Sequence, residues 1–427
     1  MAKLSARTAQ TLLLLVLAAA PAPAQEEPVC ALDNAGLTLP PGFCALAVAD
    51  GLGRARHLTV ARNGDVFVAT GRTRQDTAGG GVVVLRDTDG DGVADERVRF
   101  GGGTGNDVEF RGGFLYYSTD DAIMRYPWQA GSMEPAGPAD TMVSELPARG
   151  GHRAKSFVFG SDGAIYVNVG SPSNACQEQQ RTVRSPGKDP CEELEQWAGI
   201  WRFDPDRPGQ RQPDGSRYAT GMRNTVALGV RAQDGELYAA IHGRDQLTLW
   251  PDLFDDAMNA EKPAEEFVRI REGSDFGWPY CYYDPALEQK VLAPEYGGDG
   301  RAVGRCAEKD DPLIGFPAHW APNGIHFYVG NQYPQRYRGG AFIAFHGSWN
   351  RAPLPQGGYN VVFAPFDGDE PTGAWEVFAD GFAGRELSPR GAEHRPVGLA
   401  EGPDGSLYVS DDRGGRIYRI VYRGAER

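Results

Sequence analysis

Several short stretches of this chain carry residue types able to do chemistry. His152 stands in RGGHRAKSFVFGSDG, seven residues before Phe159 and ahead of an apolar strand. An imidazole at a strand mouth titrates near neutral pH and can act as a general base. Arg223 and Asn224 adjoin in YATGMRNTVALGV, again before an apolar run. A guanidinium fork beside an amide suits a carboxylate ligand. HGSWNR closes the apolar strand AFIAF with His346, Ser348, Trp349, Asn350 and Arg351. Arg395 in EHRPVGL and Arg56 in GRARHLTV precede other strands, and HGRDQ places His242, Gly243 and Arg244 after one. Gathered at one place, these arginines would bind a small polyanion. RDTDGDGVADE is different: Asp87, Asp89, Asp91 and Asp95 surround glycine turns like the start of a calcium loop. Its twelfth position is Val98 instead of Glu, so it reads as a separate structural Ca²⁺ loop without a catalytic part.

Something must carry these residues to one point. A single phrase recurs six times: ARNGDVFVAT, FRGGFLYYST, GSDGAIYVNV, AQDGELYAAI, YRGGAFIAFH and GPDGSLYVSD. Each is a Gly-containing turn followed by a strand that alternates at period two, as a half-buried strand does. The copies lie roughly 50 to 100 residues apart, room for four short strands and their loops. Such repeats indicate an all-β chain built as a six-bladed β-propeller. Two stacked β-sandwiches are the competing architecture. GFCALAVADGL near the N-terminus would pair with GRIYRIVYR near the C-terminus and close the ring. Residues 245–266 have helical composition and read as an insertion between blades. In a propeller, loops from every blade meet at a central depression, which is where the residues above belong.

Composition narrows the function. With 43 Lys+Arg against 57 Asp+Glu the chain carries a net charge of −14, which excludes nucleic-acid binding. Gly and Pro are too frequent for long helical bundles. Residues 1–24 read as a secretory signal peptide: Lys3 and Arg7, a short apolar run, then Ala22-Pro23-Ala24. The expectation is an exported, periplasmic or secreted protein with no membrane span and one propeller over residues 25–427. In an oxidising compartment the cysteines pair with their sequence neighbours: Cys30–Cys44, Cys176–Cys191 and Cys281–Cys306.

The His–x6–Phe–Gly–x–Asp–Gly stretch at His152, the Arg223-Asn224 pair, the Gly-Trp-Pro turn at Trp278, HGSWNR and RPVGL at Arg395 occur together. The chain thereby resembles the soluble sugar dehydrogenases that use pyrroloquinoline quinone (PQQ), in their sorbosone and pyranose dehydrogenase branch. The resemblance covers nearly all of the chain after Cys30 and implies a six-bladed propeller. It implies that His152 takes the proton of a sugar hydroxyl while hydride leaves for the quinone C5. It implies that Arg223 and Asn224 hold the cofactor, with Arg395 over its carboxylates. His346, Asn350, Arg351 and Arg56 are implied as further cofactor contacts. A cofactor-linked Ca²⁺ is implied at the main-chain carbonyls of Gly243 and Arg244, where it would polarise the quinone carbonyl. The partners implied are a sugar and a separate electron acceptor, such as a cytochrome or a quinone.

Two departures stand out. The glucose-oxidising members have an acid beside the catalytic histidine; here that position is Ser171, in VNVGSPS. The proline expected next to the cation-binding glycine is replaced by Arg244. Without a carboxylate the imidazolium is less stabilised. A non-catalytic propeller that binds a glycan or protein is therefore the alternative. A metal-dependent lactone hydrolase comes third, since it needs carboxylates on the axis.

Overall fold

In the computed structural model, residues 28–72 and 79–424 are described. The signal peptide expected over residues 1–24 lies outside them. The chain forms six antiparallel sheets around an axis, each with a core of four strands, and two small hairpins. The six innermost strands are Arg54–Val60, Asp107–Arg111, Phe157–Phe159, Ala227–Val230, Pro322–Phe327 and Pro396–Glu401. They define blades 1 to 6 in chain order. Each repeated phrase supplies the turn and second strand of one blade: Val66–Gly71, Phe114–Ser118, Ile165–Val169, Leu237–Ile241, Ala341–Phe345 and Leu407–Asp411. Radial repetition, and not stacked sandwiches, is the outcome.

The second strands are not half-buried. Val66–Gly71 and Ile165–Val169 are buried at every position. Their alternation sorts side chains between the two neighbouring blades instead of between core and water. Phe67 and Ala69 pack with Val108, Leu115 and Tyr117 of blade 2. Val66 and Val68 pack with Ala400, Tyr408 and Ile417 of blade 6. Blade 4 divides in the same way: Tyr238 and Ala240 join blade 5, while Leu237, Ala239 and Ile241 join blade 3. Each such side chain contributes about 1.5–3 kcal/mol when fully buried, so every blade depends on both neighbours.

The ring closes as expected. Phe43–Ala49 pairs antiparallel with Ile417–Tyr422, from Phe43↔Tyr422 to Ala49↔Ile417. The three disulfides are the sequence-local ones. The insertion expected between blades over 245–266 lies within blade 4, between its second and third strands, and its helical reading holds for Leu247–Leu249 and Asp256–Glu261 only. Glu265 and Glu266 instead open the strand Glu265–Ile270 of blade 4. Burial in the sheet overrides the helix preference of two glutamates, each of which finds a fixed partner there. Glu266 pairs with Lys290 at 2.5 Å.

No helix among the described residues is long and apolar enough to cross a membrane.

Candidate functional site

The site lies at the axial end where innermost strands begin and second strands finish. Arg56, His152, Arg223, Asn224 and Arg395 come from the starts of innermost strands or the loops before them. Ser171, His242, His346 and Asp412 come from just after second strands. A depression of about 340 Å³ opens there. Arg54, Arg56, Arg72, Asn106, Asp120, His152, Arg153, Asn224 and Asn323 line it.

His152 is held in one tautomer. Its Nδ1 lies 2.8 Å from the Ser171 carbonyl oxygen, which can only accept, so Nδ1 carries the proton and donates. The Ser171 hydroxyl is 3.1 Å from the same nitrogen and itself donates to the Ser173 carbonyl. Nε2 is left with a free lone pair. Burial, and then the charge of Arg223, lower the imidazole to about 3. His152 is thus a neutral base across the physiological range. Gly170 permits this packing: a Cβ there would meet the His152 Cβ at 2.7 Å and the Asn224 Oδ1 at 2.9 Å.

Arg223 is buried and makes four hydrogen bonds. Nε donates to the Asn174 carbonyl, Nη1 to the Gly243 carbonyl at 2.8 Å, and Nη2 to both Asn174 Oδ1 and Asp245 Oδ2. The Trp278 indole donates to the same Asn174 carbonyl, which gives the Gly-Trp-Pro turn a positioning role. Glu265 accepts from the Gly243 and Ala321 amides. Burial pushes its carboxyl up to about 8. Asn224 differs from its neighbour, since its buried Oδ1 has no partner.

A second frame joins blades 1, 5 and 6. The Asp412 carboxylate accepts from Arg56 Nη1 at 2.8 Å and from His346 Nε2 at 2.7 Å. Burial alone would raise this carboxyl, but His346 and Arg56 outweigh it and hold it far below the usual range. Arg395 donates from Nε and Nη2 to the His346 and Gly347 carbonyls and lies over the Tyr359 ring.

Not every expected residue joins the depression. Arg351 spends its donors on the carbonyls of Ala260, Ala318 and Pro355, so it braces the loops between blades 4 and 5. Asn350 lies beside it with a buried, unpartnered Nδ2. The Arg244 side chain is buried against Glu295. The Gly243 carbonyl, expected to face a cation, accepts from Arg223. Asp87, Asp89 and Asp95 bring oxygens within 4.8 Å of one another, but Asp91 stays outside that group. This loop joins the third and fourth strands of blade 1, at the axial end opposite the depression. The sequence reading missed the buried partners Asn174, Asp245, Glu265 and Asp412, and the lining residues Arg54, Arg72, Asn106, Asp120, Arg153 and Asn323. One signal existed for Asp412. It directly follows the sixth repeated phrase, as His242 follows the fourth.

The fold and site define a class: a six-bladed propeller whose axial depression gathers arginines around a neutral histidine base. The TrAA12-like family model matches residues 37–423, and the chain belongs to this AA12 family of PQQ-dependent oxidoreductases. A PQQ-dependent pyranose dehydrogenase of Coprinopsis cinerea is 28% identical over 257 residues, 52% of this chain and 34% of that protein. The chain spans less than half the length of the curated relatives it matches. The holo PQQ domain of the Coprinopsis cinerea pyranose dehydrogenase superposes with a TM-score of 0.72 at 21% identity, covering 93% of this chain and 99% of that one. A calcium structure of the Trichoderma reesei AA12 enzyme gives 0.73 at 20% identity, covering 94% and 99%. At such identities the structures establish the fold.

Proposed function

We propose that this protein is an exported dehydrogenase that uses PQQ and Ca²⁺ to oxidise an aldose, a ketoaldose or a related sugar aldehyde. The single observation that carries this reading is His152: a base with Nε2 free, fixed by a carbonyl, in an arginine-lined depression. The residues fit the cofactor. Asn224, which lines the depression, has a buried and unpartnered Oδ1, as an atom awaiting a polar ligand would. Arg56, which lines the depression, would meet its carboxylates, with His346 and Arg395 bracing the frame behind it and Arg223 fixing the loop that carries Asn224. When bound, PQQ would supply an electrophilic quinone carbonyl able to accept hydride, and a Ca²⁺ held with it would polarise that carbonyl.

The chain itself positions the sugar hydroxyl and accepts its proton at His152 Nε2. Ser171 then offers a carbonyl and a hydroxyl where an acid would offer a charge, so the imidazolium is stabilised less and turnover is slow. Electrons leave to a separate acceptor.

The test is a titration of the metal-depleted protein with PQQ in the presence of Ca²⁺, followed by dye reduction across a sugar panel. Binding at one PQQ per chain with sugar-dependent reduction lost in His152→Ala supports the reading. Binding of a glycan without any response to PQQ would favour the non-catalytic propeller that Ser171 brings to mind.

A further inference from the structure

The geometry points to a substrate that is itself an anion: a sugar bearing a carboxylate, of the hexuronate class. This rests on the reading of the depression as a sugar-oxidising site and names what that site selects.

The arginines at this end fall into two sets. Arg223 and Arg395 do not line the depression and are used up within the protein. Arg223 bonds Asn174, Gly243 and Asp245, and Arg395 bonds the carbonyls of His346 and Gly347. On the side of blades 1 to 3, where His152 stands, the depression is lined by Arg54, Arg72 and Arg153. The one carboxylate among the lining residues is Asp120, whose Oδ1 accepts from Asn106 Nδ2. Arg54 is 48% exposed and reaches Asp412 only at 3.7 Å, because Arg56 already holds that carboxylate at 2.8 Å. Arg153 directly follows the catalytic base in sequence. It is exposed and forms no ion pair with any described residue.

Exposed arginines without an ion pair occur elsewhere, as at Arg62, Arg301 and Arg385, but here four arginines, Arg54, Arg56, Arg72 and Arg153, line one depression with a single carboxylate. An excess of cations therefore persists where the substrate must lie to reach His152. A carboxylate there gains charge-assisted hydrogen bonds, and the local field raises the concentration of anions over neutral sugars. Asp120 Oδ2 remains to accept a sugar hydroxyl.

The test compares D-glucuronate with D-glucose, and D-galacturonate with D-galactose, on the PQQ- and Ca²⁺-loaded protein. The expected result is a kcat/KM at least 10-fold higher for each uronate at low salt, shrinking in 0.5 M NaCl as screening sets in. Arg153→Gln should cost the uronates about 10- to 100-fold, the span of one charge-assisted bond. It should cost the neutral sugars far less, and Arg153→Lys should recover part of the loss. Equal or better kcat/KM for the neutral hexoses would overturn the inference. So would an Arg153→Gln variant that loses PQQ affinity and both sugars alike, since Arg153 would then serve the cofactor. Calorimetry of D-glucuronate against D-glucose on the unloaded protein separates the two proposals. Uronate-selective binding without PQQ binding would sink the dehydrogenase reading and keep the anion site.

Discussion

Two cavities lie along one propeller axis, and they are nearly equal in size. The depression at the His152 end measures about 340 Å³ and the cavity toward the opposite end about 370 Å³. Both are walled by innermost strands, and both contain histidine. Their charges are opposite. The upper one is lined by four arginines and one acid, Asp120. The lower one is lined by Asp107, Glu109 and Glu401 with His57 and His326, and by neither lysine nor arginine. The histidines are also used differently. His57 lies 3.0 Å from Asp107 through Nδ1 and 2.7 Å from the Asn323 carbonyl through Nε2, so both nitrogens are occupied. His326 faces Glu401 at 3.2 Å. His152 keeps one nitrogen free. Cavity size therefore does not single out the end proposed as functional. Charge and an uncommitted lone pair do, because only those attract an anion and take a proton.

The largest effect expected from breaking this contrast is at Arg223. Arg223→Ala removes the nearest cation from the buried Asp245 carboxylate, which keeps only Arg181 at 3.3 Å, a loss of up to about 3–5 kcal/mol of stability. Thermal melting should fall steeply and PQQ titration should show no saturable binding. A near-normal melt with intact PQQ affinity would contradict the frame described.

Next comes the base. His152→Gln should lower kcat/KM about 10²- to 10⁴-fold with PQQ affinity retained. His326→Gln in the lower cavity should leave turnover within about 2-fold. Equal losses in both would erase the distinction between the cavities. The pH dependence sharpens the same point. The His152 imidazole sits at about 3, below its ordinary range, so the unfolded chain binds this proton first as pH falls. His152 thus costs stability progressively from about pH 6.5 downward. The imidazole resonances followed by NMR in the unloaded protein should show it neutral at pH 5.

A smaller change is expected at the second frame. Asp412→Asn removes one charge between Arg56 and His346 and should weaken PQQ binding about 10-fold by titration, as loss of one charged hydrogen bond would. The Asp412 carboxyl is depressed, so its stabilisation is present above the ordinary carboxylate range and is lost only in strong acid. The smallest effect belongs to the lower cavity. Burial, and then Asp107, raise Glu109 to about 8. The folded chain holds that proton longer, so stability falls as pH rises from the ordinary range toward 8. Glu109→Gln should raise the melting temperature slightly at pH 8, leave it unchanged at pH 4 and not alter turnover.

What the sequence determined by itself is local. A Gly turn followed by alternation is complete within ten residues, so the six phrases are legible, and with them the blade number. Neighbouring cysteines pair over short loops for a similar reason, while the closing pair, Phe43–Ala49 with Ile417–Tyr422, is legible as the two strands left over at the ends of the repeat. His152 and the Arg223-Asn224 pair were legible because each shortly precedes the apolar strand that leads into a repeated phrase. The burial of second strands on both faces was not, because alternation records two environments without saying that both are dry. The frames were decided only in three dimensions. Asp412 meets Arg56 across 356 residues of chain, and Asp245 meets Arg223 and Asn174 from a loop with no spacing of its own. A buried carboxylate is stable only where a cation reaches it, and which cation does so is set by the closed ring.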